Sequence, residues 1–265
     1  MGALTGKRIS VWIRNKINLY CVNNFSWLLA RLVVGKILSI DIILLMKLIV
    51  LIFTLKKIPI LTWSSYDALN LKPKFVTLLY LVLGLILFGL GETLLITANA
   101  GVSPWTVLAQ GISVKTGYSI GITTFIVSIS VLCLWIPLKQ KPGIGTILNT
   151  IIISVVIEVS LPYLPSPELL VLQILQVIIG VAIVGIGSGF YLIANLGPGP
   201  RDGLMTGLQK MTNLSIALIR TIIEISAVIV GWYLGGVVGI GTIVFALCIG
   251  PFVSAGLFFV GKYIK

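Results

Sequence analysis

Ala194-Asn195-Leu196-Gly197-Pro198-Gly199-Pro200-Arg201-Asp202-Gly203 interrupts a chain that is otherwise strongly apolar. Proline has no N–H to donate and glycine favours non-helical backbone, so no helix runs through this stretch. The same break occurs earlier as Ala98-Asn99-Ala100-Gly101-Val102-Ser103-Pro104. A shift of 96 positions sets Ala98 on Ala194, Asn99 on Asn195, Gly101 on Gly197 and Pro104 on Pro200. The register then holds without a gap. Gly111 falls on Gly207, Ser119-Ile120 on Ser215-Ile216, and Gly143-Ile144-Gly145-Thr146-Ile147 on Gly239-Ile240-Gly241-Thr242-Ile243. Upstream, Gly84, Gly89 and Gly91 fall on Gly180, Gly185 and Gly187. Shared oiliness alone does not place glycines and prolines in register, so the sequence reads as an internal duplication.

The composition excludes a soluble domain. Hydrophobic residues make up 58% and charged residues 10% of the chain, where a globular protein carries about 25% charged. Several apolar runs reach the roughly 20 residues that span a bilayer core. Alternating ten-residue segments, the signature of a membrane β-barrel, are absent. The net charge of +12 gathers at the ends of apolar segments, which is the pattern of topology and headgroup anchoring. The partner expected is therefore the lipid bilayer, and no nucleic acid. The chain has no histidine, which removes histidine catalysis, proton relays and most zinc sites. Cys21, Cys133 and Cys248 are far apart and suggest neither a disulfide framework nor a metal site. No cofactor is expected.

Three segments follow. Residues 1–70 form a basic and apolar extension. Its stretch 26–55 carries Arg31, Lys36, Asp41 and Lys47, which makes it an interfacial helix or one marginal span. Residues 71–165 are the first repeat, with spans at about 74–98, 119–138 and 144–163 and a short helix at about 104–115. Residues 166–265 are the second, with spans at about 168–195, 215–237 and 240–262 and a short helix at about 200–211. Pro104 and Pro200 suit the first turn of each short helix, and a dozen residues cannot cross a bilayer. The expected fold is an all-α polytopic transmembrane bundle of two such copies. Placing Lys72, Lys74, Lys139, Lys141, Arg201, Lys210, Lys262 and Lys265 inside satisfies the positive-inside rule, with Lys115 the exception. Three spans per copy then give the copies opposite orientation, as in transporters built from inverted repeats.

Candidate functional residues cluster at the breaks. Freed backbone N–H groups and the positive end of a helix dipole suit an anion or polar group. Asn99, Gly101 and Ser103 in the first break, and Asn195, Gly197 and Gly199 in the second, are candidates for substrate contact; the asparagines equally suit turn or cap roles. Arg201 and Asp202 break the symmetry, since Trp105 and Thr106 stand at the matching positions. Arg201 suits an anion contact or headgroup snorkelling. Arg220 and Glu224 lie at i and i+4 on an apolar span, on one face. Glu92, Glu158 and Glu224 are candidates for ion coupling, because ionisable groups inside apolar spans mark functional sites. Trp105 and Trp135 suit interfacial anchors. No nucleophile with a base, no carboxylate cluster and no metal-ligand spacing emerge, so no catalytic residue and no enzymatic activity are expected.

GVSPWTVLAQGIS (101–113), LGPGPRDGLMTGL (196–208) and GGVVGIGT (235–242) resemble the bacterial YczE/YyaS/YitT group of integral membrane proteins. The resemblance spans about 72–262. It implies a polytopic inner-membrane protein loosely associated with export or production of secreted small molecules, and it carries over no catalytic residues. The reading that follows is a secondary transporter or exporter of a small anionic or amphipathic solute bound between the repeats. A channel-like pore and a non-transporting accessory protein are the alternatives, and the oligomeric state stays open.

Overall fold

A computed structural model describes residues 58–264. Most of the expected N-terminal extension, up to residue 57, lies outside the described residues. Eight helices follow: α1 (Phe75–Thr97), α2 (Pro104–Thr116), α3 (Ile120–Leu134), α4 (Ile144–Ser160), α5 (Leu170–Ala194), α6 (Pro200–Thr212), α7 (Ile216–Tyr233) and α8 (Ile240–Tyr263). The described residues contain no strand. The protein is a polytopic helical membrane bundle.

Where six spans were expected, four helices, α1, α5, α7 and α8, have the length and apolarity to cross a membrane alone. α3 has 15 residues and α4 has 17, or about 22–26 Å at 1.5 Å per residue, short of a core of about 30 Å. α3 stops at Leu134 and gives way to a turn through Lys139, where Pro137 has no N–H to continue a helix. α2 and α3 together pass the same test as one apolar pair bent by 115°. The bundle thus has four to five apolar spans.

Glycine lets the two longest seams close. α1 and α5 run antiparallel: a Cβ on Gly84 would meet the carbonyl of Gly187 at 2.7 Å, and one on Gly91 would meet that of Gly180 at 2.7 Å. α4 lies parallel to α1, with Gly89 against Val156 and Thr93 hydrogen-bonded to Ser160 at 2.9 Å. α8 lies parallel to α5, with Gly185 against Phe252 and Gly189 against Gly256. Backbones this close gain dispersion where lipid supplies no hydrophobic drive between helices.

The short helices exchange partners. α2 packs on α7, where Gly231 admits the backbone of Val107 and Leu108. α6 packs on α3, where Gly203 lies beneath the ring of Trp135. Trp135 is 2% exposed, and its indole N–H donates to the Pro200 carbonyl at 3.0 Å. It is a packing residue inside the protein, not the interfacial anchor expected. Outward-facing positions of α7, including Ile222, Ile225 and Ile229, are exposed, which suits a lipid-facing helix.

Candidate functional site

Each break ends a helix with an asparagine in the left-handed region, Asn99 at φ 53° and Asn195 at φ 51°. A glycine follows two residues on, Gly101 at φ 107° and Gly197 at φ 111°. Only glycine takes these last angles without strain. The break carbonyls then serve another helix. Leu196 O accepts from Gly145 N at 2.7 Å, and Ala100 O accepts from Gly241 N at 2.7 Å. Gly101 and Gly197 sit against Gly239 and Gly143. The repeated Gly-Ile-Gly-Thr motif is thus the surface on which the opposite break docks, and Thr146 adds a bond to Pro198 O at 2.7 Å.

Much of the break is therefore satisfied by protein. Asn195 donates its amide to Ser65 O at 2.8 Å, and Ser65 N donates back to Ala194 O at 3.1 Å. This fastens the stretch before α1 to the second break. Asn99 is exposed and lies outside the main cavity described below. Ser103 stands at the N-cap of α2 but does not cap it. Its hydroxyl is 2.9 Å from Glu92 Oε2 and 2.9 Å from the Thr106 hydroxyl, and Thr106 also donates to Glu92 Oε2 at 2.8 Å. Glu92 is fully buried, and its Oε1 has no partner. Glu158 lies elsewhere: its Oε2 accepts from Gly121 N at 3.1 Å at the start of α3.

What the breaks leave open is the pair of short-helix N-termini. Proline occupies the first turn of both α2 and α6, and neither has a side-chain cap. The N–H groups of Trp105, Thr106, Arg201 and Asp202 therefore lack the capping oxygen that usually serves them. Both N-termini line one cavity of about 220 Å³. Its lining brings together four of the predicted residues of the second half, Gly199, Arg201, Asp202 and Arg220, with the coupling candidate Glu224. Gly101, Ser103, Asn195, Gly197, Glu92 and Glu158 are not among its walls.

The cavity wall carries two arginines, Arg201 and Arg220, two carboxylates, Asp202 and Glu224, and the polar side chains of Asn149 and Ser188, with apolar groups between them. The Arg201 guanidinium lies over the Trp105 ring, 5.6 Å from its centroid, and makes no ion pair among the described residues. Trp105 is 7% exposed and its indole N–H has no acceptor. A buried donor without a partner costs about 1–3 kcal/mol. The Asp202 carboxylate accepts from the Tyr191 hydroxyl at 2.6 Å. Arg220 and Glu224 pair with each other at 2.9 Å on the α7 wall. Phe88, Ile153, Val184, Phe245, Ile249 and Val253 supply much of the apolar wall.

Sequence reasoning did not single out Trp105, Asn149 or Tyr191 for this site. The signal for Trp105 was present, since it holds the place of Arg201 at the 96-residue offset. Asn149 likewise stands where the other half has Phe245. Tyr191 carried no signal, because tyrosine is ordinary on a membrane helix.

Comparison with known proteins follows the same segment. The profile of a family described as a family of unknown function (DUF6198) matches residues 75–256. An uncharacterized protein of Haemophilus influenzae is 38% identical over 200 residues, covering 75% of this chain and 92% of that one. The uncharacterized membrane protein YczE of Bacillus subtilis is 31% identical over 169 residues, 63% of this chain and 79% of that one. The uncharacterized protein YyaS of the same organism is 26% identical over 176 residues, 65% and 87% of the two chains. No solved structure matches.

Proposed function

The chain belongs to the DUF6198 family of unknown function, and from that premise we propose that it is a non-enzymatic secondary transporter or exporter. Its solute is small and anionic or amphipathic, and it binds in the 220 Å³ cavity. One observation carries this reading: two uncapped helix N-termini and an unpaired arginine line the same cavity. Helix N-termini favour negative charge, and transporter sites commonly form where broken helices from two halves meet. A cavity of about 220 Å³ is smaller than the roughly 300–1,000 Å³ of drug-sized ligand pockets, so the solute is small.

The two halves are an inverted repeat. Support comes from the antiparallel α1–α5 seam, in which Gly84 and Gly91 meet Gly187 and Gly180, their partners at the 96-residue offset in reversed order. The reciprocal bonds of Leu196 O with Gly145 N and Ala100 O with Gly241 N support it too. The charge pattern favours a bacterial cytoplasmic membrane with the C-terminus inside. Glu224, alone of the three carboxylates in the cavity wall, is the candidate for ion coupling.

A thermal-shift screen of the purified full chain against anions, metabolites and amphipathic compounds tests the reading. The expected result is a solute that raises the midpoint of the wild type by mass action but not that of Arg201→Ala or Arg220→Ala. A protein that no solute shifts, and that co-purifies with one partner at constant ratio, is an accessory protein instead.

A further inference from the structure

A second cavity, about 20 Å³, lies between α3 and α4 beside the N-terminal turns of α2 and α6. It shares Trp105, Asn149, Ile153, Pro200 and Arg201 with the large one. Four of its other wall residues, Thr106, Ala109, Thr124 and Ser128, match Asp202, Met205, Arg220 and Glu224 of the large cavity at the 96-residue offset. The large cavity thus extends as a slot between α7 and α8, and the small one takes the matching place between α3 and α4, nearly shut.

The difference has a local cause. α3 and α4 pack along a seam, whereas α7 and α8 form none. A Cβ on Gly121 would meet the Glu158 carboxylate at 2.5 Å and Ser154 O at 2.7 Å, so α3 approaches α4 only because residue 121 has no side chain. The Glu158 carboxylate then accepts from Gly121 N at 3.1 Å, at the helix end where negative charge is stabilised. The matching positions of the second half are Ala217 and Ser254. There residue 217 carries a methyl group and residue 254 a hydroxyl in place of the carboxylate.

We propose that the α3/α4 seam is a second entrance to the site on Trp105 and Arg201, and that Glu158 is the latch that keeps it closed. The inference rests on the transporter reading, in which the same bound anion must be reachable from two sides in turn. Releasing the latch opens the small slot to water, and installing its equivalent between α7 and α8 closes the large one.

The test uses the full chain in liposomes, with Cys21, Cys133 and Cys248 replaced by serine and a single reporter, Ser128→Cys, in the small slot. A water-soluble maleimide reads its exposure. Glu158→Ser, which copies the second half, raises the labelling rate several-fold, while Glu158→Gln retains an acceptor oxygen and stays near the parent. A folded Glu158→Ser protein that labels no faster overturns the latch. Should that variant not fold, Ala217→Gly with Ser254→Glu and the reporter Val253→Cys reads the converse. Labelling falls if the latch is transferable, and an unchanged rate overturns it. The transporter reading fails separately, when no solute shifts the midpoint although both latch variants behave as stated.

Discussion

The guanidinium carbon of Arg201 lies 5.6 Å from the centroid of the Trp105 ring, and these residues hold the same position in the sequence, 96 residues apart. Each is the second residue of its short helix. Two equivalent positions can touch only where the two short helices converge, so the pair marks the meeting point of both N-termini. A symmetric pair there would be two arginines or two tryptophans. One of each gives a cation, an aromatic face and an unpaired N–H in one place, which is a polar floor with a direction.

That asymmetry predicts separable effects on solute affinity. Once a responding anion is found, Arg201→Ala weakens it by about 10- to 100-fold, the range of a charge-assisted bond of roughly 1.5–3 kcal/mol. Arg201→Lys keeps the charge but loses the planar stack and falls between. Trp105→Phe keeps a ring face under the guanidinium and removes only the buried N–H, so affinity stays within about threefold. Concentration dependence of the thermal midpoint measures all three.

The two break asparagines look alike in sequence and behave differently. Asn195 carries both a left-handed backbone and a bond to Ser65 O. Asn195→Gly loses only the bond, about 1 kcal/mol. Asn195→Ala adds the left-handed strain, about 1–2 kcal/mol more. Asn99 has the backbone angle but no side-chain partner among the described residues, so Asn99→Gly is near neutral. Denaturation midpoints check the order, and solute response stays intact in all three variants.

How much of this was legible in the sequence follows from what each residue type can signal. Glycine and proline at the breaks, and the Gly-Ile-Gly-Thr motif, announce backbone geometry directly. The helices therefore fall close to their expected limits, and the docking of break on motif explains the repetition. Side-chain destinations are different. Trp105 and Trp135 read as interfacial anchors because sequence gives no depth, yet both are buried, one over a glycine and one under an arginine. Glu158 read as a coupling carboxylate, since nothing local shows that Gly121, 37 positions earlier, would bring its N–H within reach.

Gly203 is held by shape. A Cβ there would run into the ring of Trp135, which is fixed by its own bond to Pro200 O. Gly203→Ala therefore destabilises by about 1–3 kcal/mol, the range for overpacking a tight interior. Gly207→Ala, one turn on, meets the movable side chains of Gln140 and Leu138 at 3.0 Å and costs little. Thermal unfolding in detergent separates the two, and equal losses would refute the account of the α3–α6 contact.

Glu92 is fully buried with no ion pair among the described residues, so its neutral replacement is not expected to unfold the bundle. Glu92→Gln keeps an oxygen toward Ser103 and Thr106 and removes any charge from the interior; the midpoint stays within about 1 kcal/mol of wild type or rises. Thr106→Val removes a donor from Glu92 Oε2 and costs about 1–3 kcal/mol. A large loss in Glu92→Gln would mean that the carboxylate balances a cation.

Arg220 and Glu224 form the only ion pair among the described residues, on the wall of the open slot. Their side chains are 49% and 25% exposed, so the pair is neither a buried triad nor a free surface bridge. In water such an i,i+4 pair is worth about 0.3–0.5 kcal/mol. Beside an apolar slot the balance changes, because removing one partner leaves the other charge facing hydrocarbon. Arg220→Leu and Glu224→Leu alone should each lower stability more than the double variant does. A cycle of the four proteins should then show a favourable coupling of about 0.5–3 kcal/mol. Stability and function part company at that point. The double variant folds, but under the transporter reading it has lost a cation and a carboxylate from the solute path. Its thermal midpoint therefore no longer responds to the solute that shifts the wild type. A double variant that still responds in full would make the pair a structural brace and leave Arg201 to hold the anion alone.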